Sequence, residues 1–188
     1  MSGKVSGLDV LQLLLHGNQL KRTARTGWAQ RGVANAEDVA AHSYGVTFTA
    51  LVLVQKMAKS LDLERVLIMA ILHDLPEGLT TDIPTPAWRF LPNGIKTDVE
   101  RGAMIEILGD VSFAPLFIGY WEELHEQKTQ EALLVHDADK LDMYLQALVY
   151  EQQTSNRQLA EFWETPYRFY FSEAQQIFDD LLNLRNRE

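Results

Sequence analysis

Val66-Leu67-Ile68-Met69-Ala70-Ile71-Leu72-His73-Asp74-Leu75-Pro76-Glu77-Gly78 is the stretch from which the rest of the chain can be read. Its apolar run predicts a buried helix through His73, stopped by Pro76 and Gly78. A histidine and a carboxylate side by side at the polar end of such a segment are two ready-made metal ligands. A packed core would not choose them. The pair points to an enzyme rather than a scaffold.

Toward the N-terminus, this helix begins after the Ser60-Leu61-Asp62 break. Before the break, Val39, Val46, Ala50, Leu53, Val54 and Met57 recur by threes and fours, predicting a helix across 36–61 with His42 inside it. Leu8, Leu11, Leu14 and Leu15 predict a first helix that ends near Gly17-Asn18 or continues to Leu20. Residues 21–36 are basic, glycine-containing and aperiodic, and read as a surface loop carrying Arg22, Arg25, Trp28 and Arg31. Toward the C-terminus, Pro84, Pro86, Pro92 and Gly94 make 78–94 a loop with only short turns. Further helices are predicted at 96–108, 114–124, 129–151, 156–164 and 169–184. No segment alternates apolar β-branched residues over the length of a strand, so no sheet is expected. The predicted class is all-α, a helical bundle forming a single domain over 1–188.

A length of 188 residues suits one domain with a real core. The absence of cysteine excludes disulfides, thiolate zinc sites, iron–sulfur clusters and a thiol nucleophile, leaving nitrogen and oxygen donors for any metal. A formal net charge of -9 argues against binding a nucleic-acid polymer, which draws much of its affinity from Lys and Arg on phosphates. A small phosphorylated ligand held by a local Arg or Lys stays open. The segment Met1 to Gly7 is polar with no long apolar region after it, and the longest apolar stretches fall short of a membrane span. A soluble, cytoplasmic protein with no membrane partner is expected.

Four residues attract attention: His42, His73, Asp74 and Asp139. At 3.6 residues per turn, Asp139 shares the face of Ala132 and Val135. A carboxylate turned inward needs a partner, because an unpaired buried charge is costly, and a metal cation is one natural answer. Taken singly, each has a plainer explanation. His42 could be a hydrogen-bonded core histidine, His73-Asp74 a helix terminus, and Asp139 a salt-bridge partner of Lys140 or an arginine. No compact ligand motif such as His-Glu-x-x-His decides between them.

The order His42, then His73-Asp74, then Asp139 on successive predicted helices resembles the HD-domain metal-dependent phosphohydrolases. So do the stretches Arg25-Thr26-Gly27-Trp28, Glu37-Asp38-Val39-Ala40-Ala41-His42-Ser43-Tyr44, His73-Asp74-Leu75-Pro76-Glu77-Gly78, Thr81-Asp82-Ile83-Pro84-Thr85-Pro86 and Ala138-Asp139-Lys140-Leu141-Asp142. They look like those of the branch containing bacterial 5'-deoxynucleotidases and eukaryotic HD domain-containing 2 proteins. The matched core runs from about residue 20 to 151, with C-terminal helices at 156–184 expected to pack on it.

The resemblance implies an HD-type bundle in which His42, His73, Asp74 and Asp139 hold one divalent transition metal: Mn, Co, Fe, Cu, Ni or Zn. Two neutral imidazoles and two carboxylates suit such a borderline ion. It implies hydrolysis of the 5'-phosphate of (deoxy)nucleoside monophosphates by a metal-activated water. Glu77 is implied as general acid, general base or water-orienting group, and Asp82 as a residue that positions nucleophile or sugar. Trp28, Arg25, Arg31 and Thr85 are implied at the substrate pocket, Trp28 stacking on a base and an arginine gripping the phosphate. A homodimer is also expected. The aromatics Trp163, Tyr167, Phe169, Tyr170 and Phe171 either finish the core or form its dimer face.

The chain departs from the family pattern in places. Ala41 stands where many relatives carry an acidic residue, Thr81 where glycine is common, and Ala87-Trp88 where some place a basic residue. Some HD proteins bind a second metal through two extra histidines. Here His125 and His136 read as surface or interface residues, so one metal is expected. Two rival readings remain: an HD hydrolase of another phosphoester, such as a cyclic nucleotide or guanosine polyphosphate, and a non-catalytic adaptor that binds metal and nucleotide.

Overall fold

The computed structural model describes residues 7–57, 60–84, 87 and 90–187. Its helices in chain order are α1 (Gly7–Gln19), α2 (Thr26–Ala29), α3 (Val39–Lys56), α4 (Leu63–Leu72), α5 (Glu77–Thr80), α6 (Ile95–Leu108), α7 (Ala114–Glu126), α8 (Gln130–Thr154), α9 (Glu161–Glu164) and α10 (Ser172–Arg185). Among the described residues there is no β-strand, only an isolated bridge between Ala24 and Asp38. The protein is all-α. None of the described helices is long and apolar enough to cross a membrane.

Side-chain caps fix where the long helices start. Asp38 accepts from the Ala41 N–H at 2.8 Å, Asp62 from the Arg65 N–H at 3.2 Å, and Thr129 from the Ala132 N–H at 3.2 Å. The apolar faces then close on one another. Val46, Ala50 and Leu53 of α3 meet Val66 and Met69 of α4, Leu134, Leu141 and Tyr144 of α8, and Phe178 and Leu181 of α10. A second cluster gathers Leu20, Leu72, Leu75, Met104, Ile107, Leu108 and Trp121 under α6 and α7. The charged end of α4 is held between these two cores.

The C-terminal aromatics finish the core. Phe169 and Phe171 are buried, and Phe178 stacks near Tyr144 with ring centroids 4.6 Å apart. Only Tyr170 is well exposed, so this segment is not an apolar face left for a second copy.

Two stretches depart from the sequence reading. Residues 21–36 are not wholly a surface loop, because they contain α2, and Trp28 is only 2% exposed. Trp28 seats against Tyr150 and Phe162, with centroids 5.4 and 4.6 Å away, forming a third cluster with Val33, Ala147 and Leu159. The predicted helix at 156–164 is a 3-10 turn, Arg157–Ala160, followed by α9.

Where α5 ends, Thr81 has φ 62° and ψ 168°, a region essentially reserved for glycine and costing other residues of order 1–3 kcal/mol. Thr81→Gly should therefore raise the free energy of unfolding by about 1 kcal/mol after glycine's larger unfolded-state entropy is subtracted, read as a higher denaturation midpoint.

Candidate metal and substrate site

His42 lies in the first turn of α3, so the Asp38 cap fixes its height. His73 and Asp74 leave α4 in the turn ended by Pro76, and Asp139 faces them from the middle of α8. The turn presses against α1 because residue 78 is glycine: a Cβ there would lie 3.1 Å from the His16 carbonyl oxygen.

These elements bring the four sequence-predicted ligands together. His42 Nε2 is 3.2 Å from Asp139 Oδ1 and 3.7 Å from Asp74 Oδ2, and His73 Nε2 is 3.1 Å from the same Asp74 oxygen. The donor atoms of His42, His73 and Asp139 all lie within 4.8 Å of one another. Each imidazole is anchored through its other nitrogen, His42 Nδ1 at 2.8 Å from Asp142 Oδ2 and His73 Nδ1 at 2.8 Å from the Ala70 carbonyl oxygen. Both Nε2 atoms are buried with no hydrogen-bond partner in the protein. Two such orphaned imidazole nitrogens, facing two carboxylates, fit a borderline divalent ion.

The electrostatics favour a cation. Burial opposes ionisation of Asp74, yet the charge of His73, with His42 and Arg25 behind it, holds it well below the usual carboxylate range. Burial also opposes ionisation of Asp139, and Lys140 and His42 overcome it. For His42, burial and the Arg25 charge disfavour a proton, but the facing Asp139 and Asp142 carboxylates prevail and push it up to about 9 in the metal-free site, a pull that a bound cation would satisfy in the proton's place. Asp74, Asp82 and Asp139 line one cavity, to which Arg25, Arg31, Lys96 and Lys140 bring the positive charge.

A cavity of about 250 Å³ opens on this cluster, lined by Arg25, Trp28, Arg31, Glu77, Asp82, Lys140, Met143 and Phe162 among others. Arg25 Nη1 donates to Asp74 Oδ2 at 3.3 Å, and Lys140 Nζ to Asp139 Oδ2 at 2.9 Å. Glu77 is buried with Oε2 unpartnered; burial, then the Asp74 and Asp82 carboxylates, push it up to about 9. Asp82 Oδ2 accepts from the Thr26 N–H at 2.7 Å, and its carbonyl oxygen accepts from Thr26 Oγ1 at 2.9 Å. It thus docks the loop onto α2 rather than capping its own turn.

Other expectations need correction. Trp28 forms a wall of the cavity, but its ring is packed into the core and its Nε1–H donates to Glu37 at 3.0 Å, so no open face is left for stacking on a base. The Arg31 guanidinium is taken by Glu161 and the Gly27 carbonyl and lies over the Phe162 ring. It braces the wall, while Arg25 sits beside the cluster. Thr85 lies outside the described residues.

His125 and His136 are not simple surface residues. His125 stacks on Trp121 and reaches its carbonyl oxygen at 2.9 Å, while His136 Nε2 is 3.0 Å from the Leu124 carbonyl oxygen. Among the described residues neither belongs to a metal-capable group. They line a second cavity of about 270 Å³ that opens on Asp74 and Asp139.

A helical bundle that gathers imidazoles and carboxylates beneath a cavity with fixed arginine and lysine defines a class of helical metal-binding hydrolases. The chain belongs to the HD-domain family, whose sequence model matches residues 17–177. It is 37% identical over 142 residues to 5'-deoxynucleotidase HDDC2 of Dictyostelium discoideum, covering 72% of this chain and 74% of that protein. To 5'-deoxynucleotidase HDDC2 of Danio rerio it is 33% identical over 183 residues, covering 95% and 89%. Among solved structures, a conserved hypothetical protein from Pyrococcus furiosus matches with a TM-score of 0.79 at 35% identity, covering 92% of this chain and 99% of that one.

Proposed function

We propose that the protein is a divalent-metal-dependent phosphohydrolase that removes the 5'-phosphate of deoxynucleoside monophosphates, with His42, His73, Asp74 and Asp139 as the metal ligands. The observation that carries this reading is the pair of buried, unpartnered Nε2 atoms facing Asp74 and Asp139, the two carboxylates that line the cavity. The names of the relatives, 5'-deoxynucleotidases along most of the chain, support the substrate class.

A divalent ion held there supplies Lewis-acid polarisation of a phosphoryl oxygen and a more acidic water. The chain's own residues do the rest. Arg25 and Lys140 each keep one contact to a ligand carboxylate and present positive charge where the phosphoryl group gains negative charge. Glu77, buried with a free oxygen facing the cavity, is placed to exchange a proton with water or with the leaving oxygen. Asp82, fixed by Thr26, keeps its remaining lone pairs for a sugar hydroxyl or the nucleophile. Trp28 and Phe162 shape the apolar wall.

The proposal includes a cytoplasmic homodimer, the compartment following from a free nucleotide substrate. Its dimer face is supported by an exposed apolar stripe on α3, where the Tyr44 and Phe48 rings stack 6.3 Å apart and Val52 continues the row.

Phosphate release from a panel of deoxy- and ribonucleoside 5'-monophosphates tests the activity, using chelated protein refilled separately with Mn, Co, Cu, Zn and Mg. Release should vanish on chelation, return with a transition metal and be fastest on deoxynucleotides. Metal-loaded protein that stays silent on the whole panel would overturn the reading in favour of another phosphoester or of simple nucleotide binding.

A further inference from the structure

We propose that Asp142 is the positioning residue that aims His42 at the metal, supplying from α8 the carboxylate that its sequence neighbour Ala41 does not. The inference rests on the reading of His42 as a ligand. His42 Nδ1 lies 2.8 Å from Asp142 Oδ2, and an imidazole that donates through Nδ1 presents the lone pair of Nε2 on its far side. His73 obtains the same orientation from the Ala70 carbonyl oxygen of its own helix. Asp142 lies three residues beyond Asp139, so one face of α8 delivers both a ligand and the group that orients another.

Gly45 points to the same role. A Cβ at this position would lie 2.1 Å from Asp142 Oδ1 and 2.7 Å from its Cγ, so any side chain there would push the carboxylate off His42. Glycine inside a helix weakens it. Its presence in α3 is accounted for by the room Asp142 needs. Glu37 stands within 4.8 Å of both His42 and Asp142, and its Oε1 is taken by the Trp28 Nε1–H, which ties the orienting group to the cavity wall. A second cation among Glu37, His42 and Asp142 would have to break the His42–Asp142 hydrogen bond.

The test measures the dissociation constant for Mn(II) or Co(II) by competition with a chromophoric chelator, alongside the melting of the metal-free protein. Asp142→Ala should weaken metal binding roughly 10- to 100-fold. Asp142→Asn should weaken it less, since the amide oxygen still accepts from Nδ1–H. Gly45→Ala keeps the carboxylate but displaces it, so it should also weaken binding, while alanine's better helix propensity offsets part of the cost of the lost hydrogen bond in the melting of the metal-free protein. If Asp142→Ala does not fold, the other two variants carry the test. Wild-type metal affinity in Asp142→Asn and Gly45→Ala, with His42→Ala abolishing binding, overturns the positioning role alone. Wild-type affinity in His42→Ala as well would overturn the ligand assignment beneath it.

Discussion

Asp74→Asn is expected to lower kcat/KM on a deoxynucleoside 5'-monophosphate by roughly 10³-fold or more and to empty the metal site at micromolar metal. The size follows from the place of one oxygen. Asp74 Oδ2 lies 3.1 Å from His73 Nε2, 3.7 Å from His42 Nε2 and 3.3 Å from Arg25 Nη1, so the same atom serves the metal cluster and the arginine above it. Asparagine keeps the shape but removes the charge. If its amide NH2 took this place it would face an arginine donor, and if its oxygen did, a weak neutral ligand would replace a carboxylate. Metal content by elemental analysis and kcat/KM at saturating metal are the two readouts. A protein that keeps both its metal and its full rate would show that Asp74 is not a ligand and that the mechanism is wrong.

That the four proposed ligands stand out in the sequence has a physical cause. His42, His73 and Asp74 interrupt apolar patterns that would otherwise run unbroken, and Asp139 falls on the apolar face of its helix, so each contradicts its surroundings. Asp142 and Gly45 contradict nothing. An aspartate and a glycine on long helices are ordinary when viewed one helix at a time, and only the packing of α3 against α8 sets one against the other. The spacing of three from Asp139 to Asp142 and from His42 to Gly45 was the available signal. The long helices were legible for the same reason as the ligands, namely sustained periodicity. α2 spans only four residues, too few to show a period, so the sequence reads Trp28 as a surface residue although tertiary contacts with Tyr150 and Phe162 bury it. The docking of Asp82 onto α2 is hidden too, since its partner Thr26 is remote in sequence.

Asp137→Ala is expected to lower the melting temperature by roughly 5–15 °C while leaving the metal site intact. Asp137 lies two residues before Asp139, roughly 200° around the helix, so it faces away from the cluster. It is fully buried, and its carboxylate accepts from the Tyr170 N–H at 3.0 Å and the Phe171 N–H at 2.9 Å. These contacts fasten the extended segment before α10, whose Phe178 and Leu181 complete the core on α8. Burial pushes the carboxyl up to about 6 against the pull of those two N–H groups, so the charge is not stabilising in itself. Its value lies in the two backbone donors it satisfies. Alanine would strand the buried Phe171 N–H and release the part-buried Tyr170 N–H, at up to about 1–3 kcal/mol each beside the cavity it leaves, and a protein of this length loses about 2–4 °C per kcal/mol. Asp137→Asn keeps one acceptor and should fall between the two. Metal affinity measured well below the melting transition should match the wild type, which separates this anchor from the ligand set. An unchanged melting temperature in Asp137→Ala would mean that the apolar contacts of α10 suffice to hold the C-terminal segment without it.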